Sequence, residues 1–267
     1  MIRDITIGQY YKADSVIHRL DPRVKLMGTL IFIISLFMGM NIWIYAVVTV
    51  ALAVVIKMSR IPLKFMVRGL KSIVILIIIS AVFNLFLTPG DVLIQIWKLT
   101  ITYQGFKMAI FMVVRLIYLI VGTSLMTLTT TPNNLTDGLE KGLGFLKVIK
   151  VPVHEIAMMM SIALRFIPIL IEETDKIMKA QMARGADFEN GSLIKRAKAM
   201  VPILVPLFVS AFRRANELAM AMEARCYHGS EGRTKMKPLK YEKRDRIAYI
   251  SMVLYLGVII IVKIIAA

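Results

Sequence analysis

Cysteine is almost absent from this 267-residue chain. Cys226 stands alone, which excludes an intrachain disulfide and suggests no cysteine-based zinc site. Acidic residues are also scarce, 17 Asp and Glu against 34 Lys and Arg, for a formal net charge of +17. Asp4, Asp14, Asp21 and Asp91 flank hydrophobic runs, and the remaining 13 acids all follow Pro132. Ion-coupled carriers need an ionisable group or a broken helix at mid-membrane. A lipid-phosphate enzyme needs paired carboxylates to hold a metal at the interface. Neither pattern is present. A Gly-x-x-x-x-Gly-Lys-Ser/Thr loop is missing as well, because Gly138, Gly142 and Gly144 lie near Lys141 and Lys147 without the spacing that cradles phosphates. If ATP is used, another chain must hydrolyse it. His18, His154 and His228 are far apart, and His154-Glu155 has no second histidine four residues on, so no metal site is expected. The charged first 25 residues do not read as a signal peptide, and the terminal Ile-Ile-Ala-Ala carries no lipidation motif.

Hydrophobic sequence fills the space. Hydrophobic residues make up 58% of the chain, and the mean hydropathy is +0.71. Lys and Arg gather between apolar runs, as in cytoplasmic loops of membrane proteins, so the basic excess argues for a bilayer and against nucleic acid. The expected class is an all-α integral membrane protein with about five spans and a cytoplasmic domain of amphipathic helices. Residues 1–25 form the cytoplasmic N-terminal segment. The 31 uncharged residues 26–56 are too long for one span. Split at Gly39-Met40-Asn41, they give spans over 26–40 and 42–57. This split keeps Lys57, Arg60, Lys64, Arg68 and Lys71 on the same side as Arg19, Arg23 and Lys25. Further spans are expected over 72–88, 108–130 and 247–267, with residues 92–107 as an outer connection. The N-terminus is then inside and the C-terminus outside the cell membrane. Arg115 is the one charge within a span, facing either a partner or polar cavity, or snorkelling to the outer interface.

Residues 131–246 form the expected cytoplasmic domain, with 20 of the basic and 13 of the acidic residues. Its apolar stretches recur at three- and four-residue spacing. One helix carries Ile156, Met160, Ala163, Leu164 and Ile167, with Pro168 breaking or kinking it. Another carries Leu204, Leu207, Phe208, Ala211, Phe212 and Ala215. Methionines concentrate here, and flexible thioethers suit either core filling or a surface that accepts several partners.

A loose repeat closes both helices. Ala180-Gln-Met-Ala-Arg-Gly185 is echoed by Ala221-Met-Glu-Ala-Arg-Cys226, with Arg184 and Arg225 41 residues apart. A cation in a last helical turn is favoured by the helix dipole, about 0.3–1 kcal/mol, and Gly185 fits as a C-terminal cap. Two matched copies, with alanine before each arginine, point further, to helix ends seated in pockets of a partner. Alanine permits close backbone approach there, and a guanidinium can grip a carboxylate bidentately.

Taken with Asp14-Ser15-x-x-His18-Arg19-Leu20-Asp21-Pro22-Arg23-x-Lys25-Leu26, Thr131-Pro132 and Ala163-Leu-Arg-Phe-Ile-Pro168, these motifs make the chain resemble the transmembrane T component of energy-coupling factor transporters, related to the cobalt-uptake membrane subunit. The resemblance covers nearly the whole length. It implies a non-catalytic scaffold without cofactor or metal. Its partners are two ABC-type ATPases and a small substrate-binding membrane subunit that captures a vitamin or metal ion. The implied ATPase-docking residues are Ala183, Arg184 and Gly185, and Ala224, Arg225 and Cys226. Cysteine replaces glycine in the second motif, which is expected to weaken its cap geometry. A T component shared among several substrate subunits is the leading reading. A dedicated component for cobalt, nickel or biotin, and a non-transport membrane anchor for soluble partners, are the alternatives.

Overall fold

The computed structural model describes residues 10–71, 73–96, 99–186, 188, 193–229, 236 and 238–265. They form nine helices and one short hairpin: α1 (Pro22–Phe37), α2 (Ile42–Ser59), α3 (Leu63–Lys71), α4 (Val74–Leu87), β1 (Val92–Ile96), β2 (Leu99–Thr102), α5 (Tyr103–Thr129), α6 (Pro132–Gly142), α7 (Val153–Ala183), α8 (Leu193–Glu223) and α9 (Lys243–Ile265). Local chemistry sets several starts. Asp21 accepts from the Arg23 N–H ahead of Pro22 at the first helical position. Asn41 caps α2, and the Thr102 hydroxyl accepts from the Gly105 N–H to open α5.

Four helices are long and apolar enough to cross a bilayer: α2, α5, α7 and α9. The pair α3–α4, bent by 64°, makes a fifth. The fold class is thus all-α and membrane-spanning. The count of five matches the sequence expectation, but the membership differs. Helix α1 has 16 residues, about 24 Å, short of a hydrocarbon core of about 30 Å. Helix α7 was expected outside the bilayer, yet it has the length and hydropathy of a span. The fourth span begins at Tyr103, not 108, because the Thr102 cap starts the helix earlier. The outer connection is a hairpin pairing Val92 with Thr102 and Ile96 with Leu99. Helix α7 continues through Pro168, and α8 through Pro202 and Pro206, so proline does not end either helix.

The chain divides into two compact units, Glu140–Pro238 and Gly8–Leu139 with Leu239–Ala267. In the second, one core cluster gathers Leu52, Ile61, Met66, Val121, Leu125 and Leu128, and another Leu36, Ile44, Tyr45, Val48 and Ile259. Arg115 belongs with the latter. It is 8% exposed, its Nε donates to the Tyr45 hydroxyl at 3.0 Å, and its guanidinium lies 5.1 Å from the Phe37 ring centre. Snorkelling is therefore not its arrangement: a phenol and a ring face hold the cation inside the helix packing.

The Asp-Pro-Arg-x-Lys segment is built into this unit. Asp245, 1% exposed, accepts the Asp21 N–H at 2.9 Å and the Glu242 N–H at 2.8 Å. One carboxylate thus caps α9 and ties it to the start of α1. Arg23 grips Asp21 through Nε and Nη2 at 3.0 and 2.8 Å and stacks on Tyr241 at 3.8 Å. Burial pushes the Asp21 carboxyl up, but Arg23 outweighs it and holds the group below the ordinary carboxylate value. Lys25 donates to the carbonyls of Thr129 and His18 at 2.8 and 3.1 Å. Burial lowers the His18 imidazole below its usual value; the ring bridges Ser15 and the Tyr11 carbonyl.

Candidate functional site: two matched helix ends

Both motifs end their helices the same way. At the first, Gly185 N–H donates to Met182 O at 2.9 Å and Ala186 N–H to Gln181 O at 3.0 Å. This is the paired-bond Schellman termination, with Gly185 in the left-handed region at φ +88. At the second, Cys226 N–H donates to Glu223 O at 2.8 Å and Tyr227 N–H to Met222 O at 3.0 Å, with Cys226 at φ +54. Every donor and acceptor is displaced by the same 41 residues that separate the arginines.

The expectation that cysteine weakens the second cap is corrected by this geometry. Cys226 takes the left-handed backbone and makes both bonds, because the preceding helix supplies the acceptors whichever residue follows. The substitution costs energy, not shape. A Cβ at positive φ costs roughly 1 kcal/mol against glycine. Cys226→Gly should therefore raise stability by about 0.5–1 kcal/mol, read as a higher unfolding midpoint and slower amide exchange at Arg225–Tyr227. An unchanged or lowered midpoint would show that the thiol makes a compensating contact.

Ala183, Arg184, Gly185, Ala224, Arg225 and Cys226 are all exposed. Neither arginine meets an acidic partner among the described residues. Each guanidinium stands at a helix C-terminus whose last carbonyls are engaged by the cap, leaving its donors for an external acceptor. The termination turns the chain sharply at Gly185 and at Cys226, so each arginine marks a blunt tip.

The sequence reading missed how the two helices meet. Arg214 on α8 pairs with Glu173 on α7 at 3.3 Å. These residues too are 41 apart, and each lies 11 before its motif arginine. The repeat contained that signal, since Glu173 and Arg214 occupy the same place in the two copies. A simple hairpin turning at Phe188 would oppose residues 173 and 203, so the observed pairing means that the helices cross. Their apolar stripes are largely uncovered: Phe208 and Phe212 are 61% and 67% exposed, and Leu204, Val205, Val209, Ile156 and Met159 are exposed as well. Clusters of three or more His, Cys, Asp or Glu able to hold a metal are absent among the described residues.

Comparison with known proteins places this architecture. The family described as "Cobalt transport protein" matches residues 13–236, which excludes α9. The protein named energy-coupling factor transporter transmembrane protein EcfT from Clostridium kluyveri is 57% identical over 93% of both chains. Its namesake from Thermosediminibacter oceani is 56% identical over 94% of both. That from Bacillus subtilis is 47% identical over 95% of this chain and 96% of its own. The chain belongs to the cobalt transport protein family, among the transmembrane components of energy-coupling factor transporters.

Proposed function

We propose that this chain joins two ABC-type ATPases, docked on its two Ala-Arg motifs, to a separate small membrane subunit that binds a vitamin or metal ion for import. The observation that carries the reading is the pair of identically terminated, exposed helix ends, each presenting an unpaired arginine behind an alanine. Two matched tips suit two similar pockets. Docking would set each guanidinium against a carboxylate, a bidentate charge-assisted contact with fixed orientation. The chain contributes no catalytic group. Closure of the ATPase pair on ATP would move the tips, and the crossed helices would pass that motion to the substrate-binding subunit. The uncovered, methionine-bearing stripes on α7 and α8 favour a component shared among several such subunits. In this reading the N-terminus and residues 131–246 are cytoplasmic and the C-terminus is outside.

The lone cysteine supplies the test. Cys226 is exposed and sits within the second motif, so a short thiol-directed photo-crosslinker labels one site without any substitution. Irradiating the labelled chain in its native membrane should yield a major adduct with an ABC ATPase subunit. The unlabelled chain should co-purify with ATPases and a small membrane protein. Absence of an ATPase from both adduct and purified assembly would overturn the reading and favour the membrane-anchor alternative.

A further inference from the structure

The unit formed by Gly8–Leu139 with Leu239–Ala267 contains a groove of about 510 Å³ between α1, α2, α5 and α9, within the roughly 300–1,000 Å³ typical of ligand sites. Its walls come from the same-side ends of all four helices: the beginnings of α1 and α9 and the final turns of α2 and α5. They are overwhelmingly apolar, with Phe32, Leu52 and Leu125 among them. Two cations line it, Lys25 and Arg244, and no carboxylate does. Both stand at the same end, because each lies within the first turn or so of its helix.

Both cations have donors to offer. Arg244 places one Nη 3.0 Å from Glu242, while its Nε lies out of solvent with no partner. Lys25 spends two of its three N–H donors on carbonyls. Around this mouth Arg23, Lys25, Lys243, Arg244 and Arg246 outnumber Asp21, Glu242 and Asp245, leaving a local charge of +2. The length also fits a membrane ligand. From Arg244 to Tyr255 the groove follows 11 residues of α9, about 16 Å, close to the depth of one leaflet, about 15 Å.

We infer that this groove is a binding site for an anionic phospholipid, one acyl chain lying against α1 and α9 and the phosphate held between Lys25 and Arg244. A cationic mouth on an apolar slot one leaflet deep complements that molecule and no free anion, since inorganic phosphate would leave the slot empty. The headgroup satisfies Arg244 Nε, and the acyl chain covers apolar walls that the helices leave open. Gly28 lines the groove where a Cβ would fall 2.6 Å from the Met252 methyl, so added bulk at this wall displaces what occupies it.

The full-length chain, delipidated in neutral detergent, is titrated with phosphatidylglycerol and with phosphatidylcholine of identical acyl chains, and bound lipid is counted by native mass spectrometry. One phosphatidylglycerol should bind with about fivefold preference. Arg244→Gln should bring that preference down to the phosphatidylcholine level, and Ala248→Trp, which fills the groove, should abolish binding of both. Arg246→Gln, exposed one turn away and outside the lining, should bind as wild type does. Equal binding of the two lipids by wild type, or phosphatidylglycerol binding untouched by Arg244→Gln and Ala248→Trp, would overturn the site. A phosphatidylglycerol with a mid-chain diazirine gives an answer without substitution. Adducts on α1 and α9 around residues 28–32 and 248–255 are expected, and adducts confined to other helices refute it.

Discussion

Reversing both motif charges, Arg184→Glu with Arg225→Glu, should strip the purified chain of both ATPases and reduce solute uptake to background. Replacing one member of a buried, hydrogen-bonded charge pair at an interface typically costs about 2–5 kcal/mol, much of it the penalty on the carboxylate left behind. A reversal adds repulsion, so a loss of at least about 30-fold per site is expected. The two tips lie at the far ends of separate helices, and their effects should multiply because distant sites act nearly independently. Each single reversal should retain one ATPase and lose the other. Arg213→Glu, exposed on the same helix 12 residues earlier, should retain both. If the double variant keeps both ATPases at wild-type ratio, the arginines are cap residues serving the helix dipole, with no share in docking.

The second large effect concerns Asp245, which touches no motif. Its carboxylate is the shared acceptor for two backbone N–H groups, at Asp21 and Glu242, 221 residues apart in sequence. Asp245→Ala leaves the Asp21 N–H without its acceptor and removes the N-terminal cap of α9. It also withdraws a buried negative charge from a neighbourhood that includes Lys25 and Arg23. Hydrogen bonds to charged groups contribute about 1.5–3 kcal/mol each, so about 3–5 kcal/mol is expected, a large part of a typical folding stability of 5–15 kcal/mol. Asp245→Asn keeps one acceptor oxygen and should cost about half as much. Unfolding midpoints of the full chain in detergent micelles measure both. Asp245→Ala within 1 kcal/mol of wild type would mean that water or a neighbouring group replaces the carboxylate.

The clamp shows where sequence reading ran out. Asp21 and Pro22 could be read as a local turn and cap before the first helix, because those effects act over two or three residues. The partner Asp245 could not, since no periodicity links residues 224 apart. The hydrophobic runs and the Arg184/Arg225 repeat were legible, for each depends on spacing along a single helix. Exposure of the stripe through Phe208 and Phe212 was not, because a 3.6-residue pattern marks an apolar face without saying what covers it. The early start of α5 depended on one hydroxyl, Thr102, where charge and hydropathy suggested only an uncharged connection. At Cys226 the residue type argued against the left-handed backbone, and the geometry shows that a termination dictated by helix carbonyls can override that preference.

The ion pair between Glu173 and Arg214 also has a mechanical meaning. A crossing point acts as a fulcrum, and here it divides each helix unequally. From it to the motif arginine runs an arm of 11 residues on both helices, about 16 Å. The opposite arms, to Val153 and to Leu193, are 20 and 21 residues, about 30 Å. A rigid lever of those proportions nearly doubles a displacement applied at the short end. All three helix-interior prolines, Pro168, Pro202 and Pro206, fall on the long arms and none on the short. Each removes a backbone hydrogen bond and softens its arm against bending. Stiffness is thus concentrated where force would enter, and compliance where a differently shaped load would have to be followed.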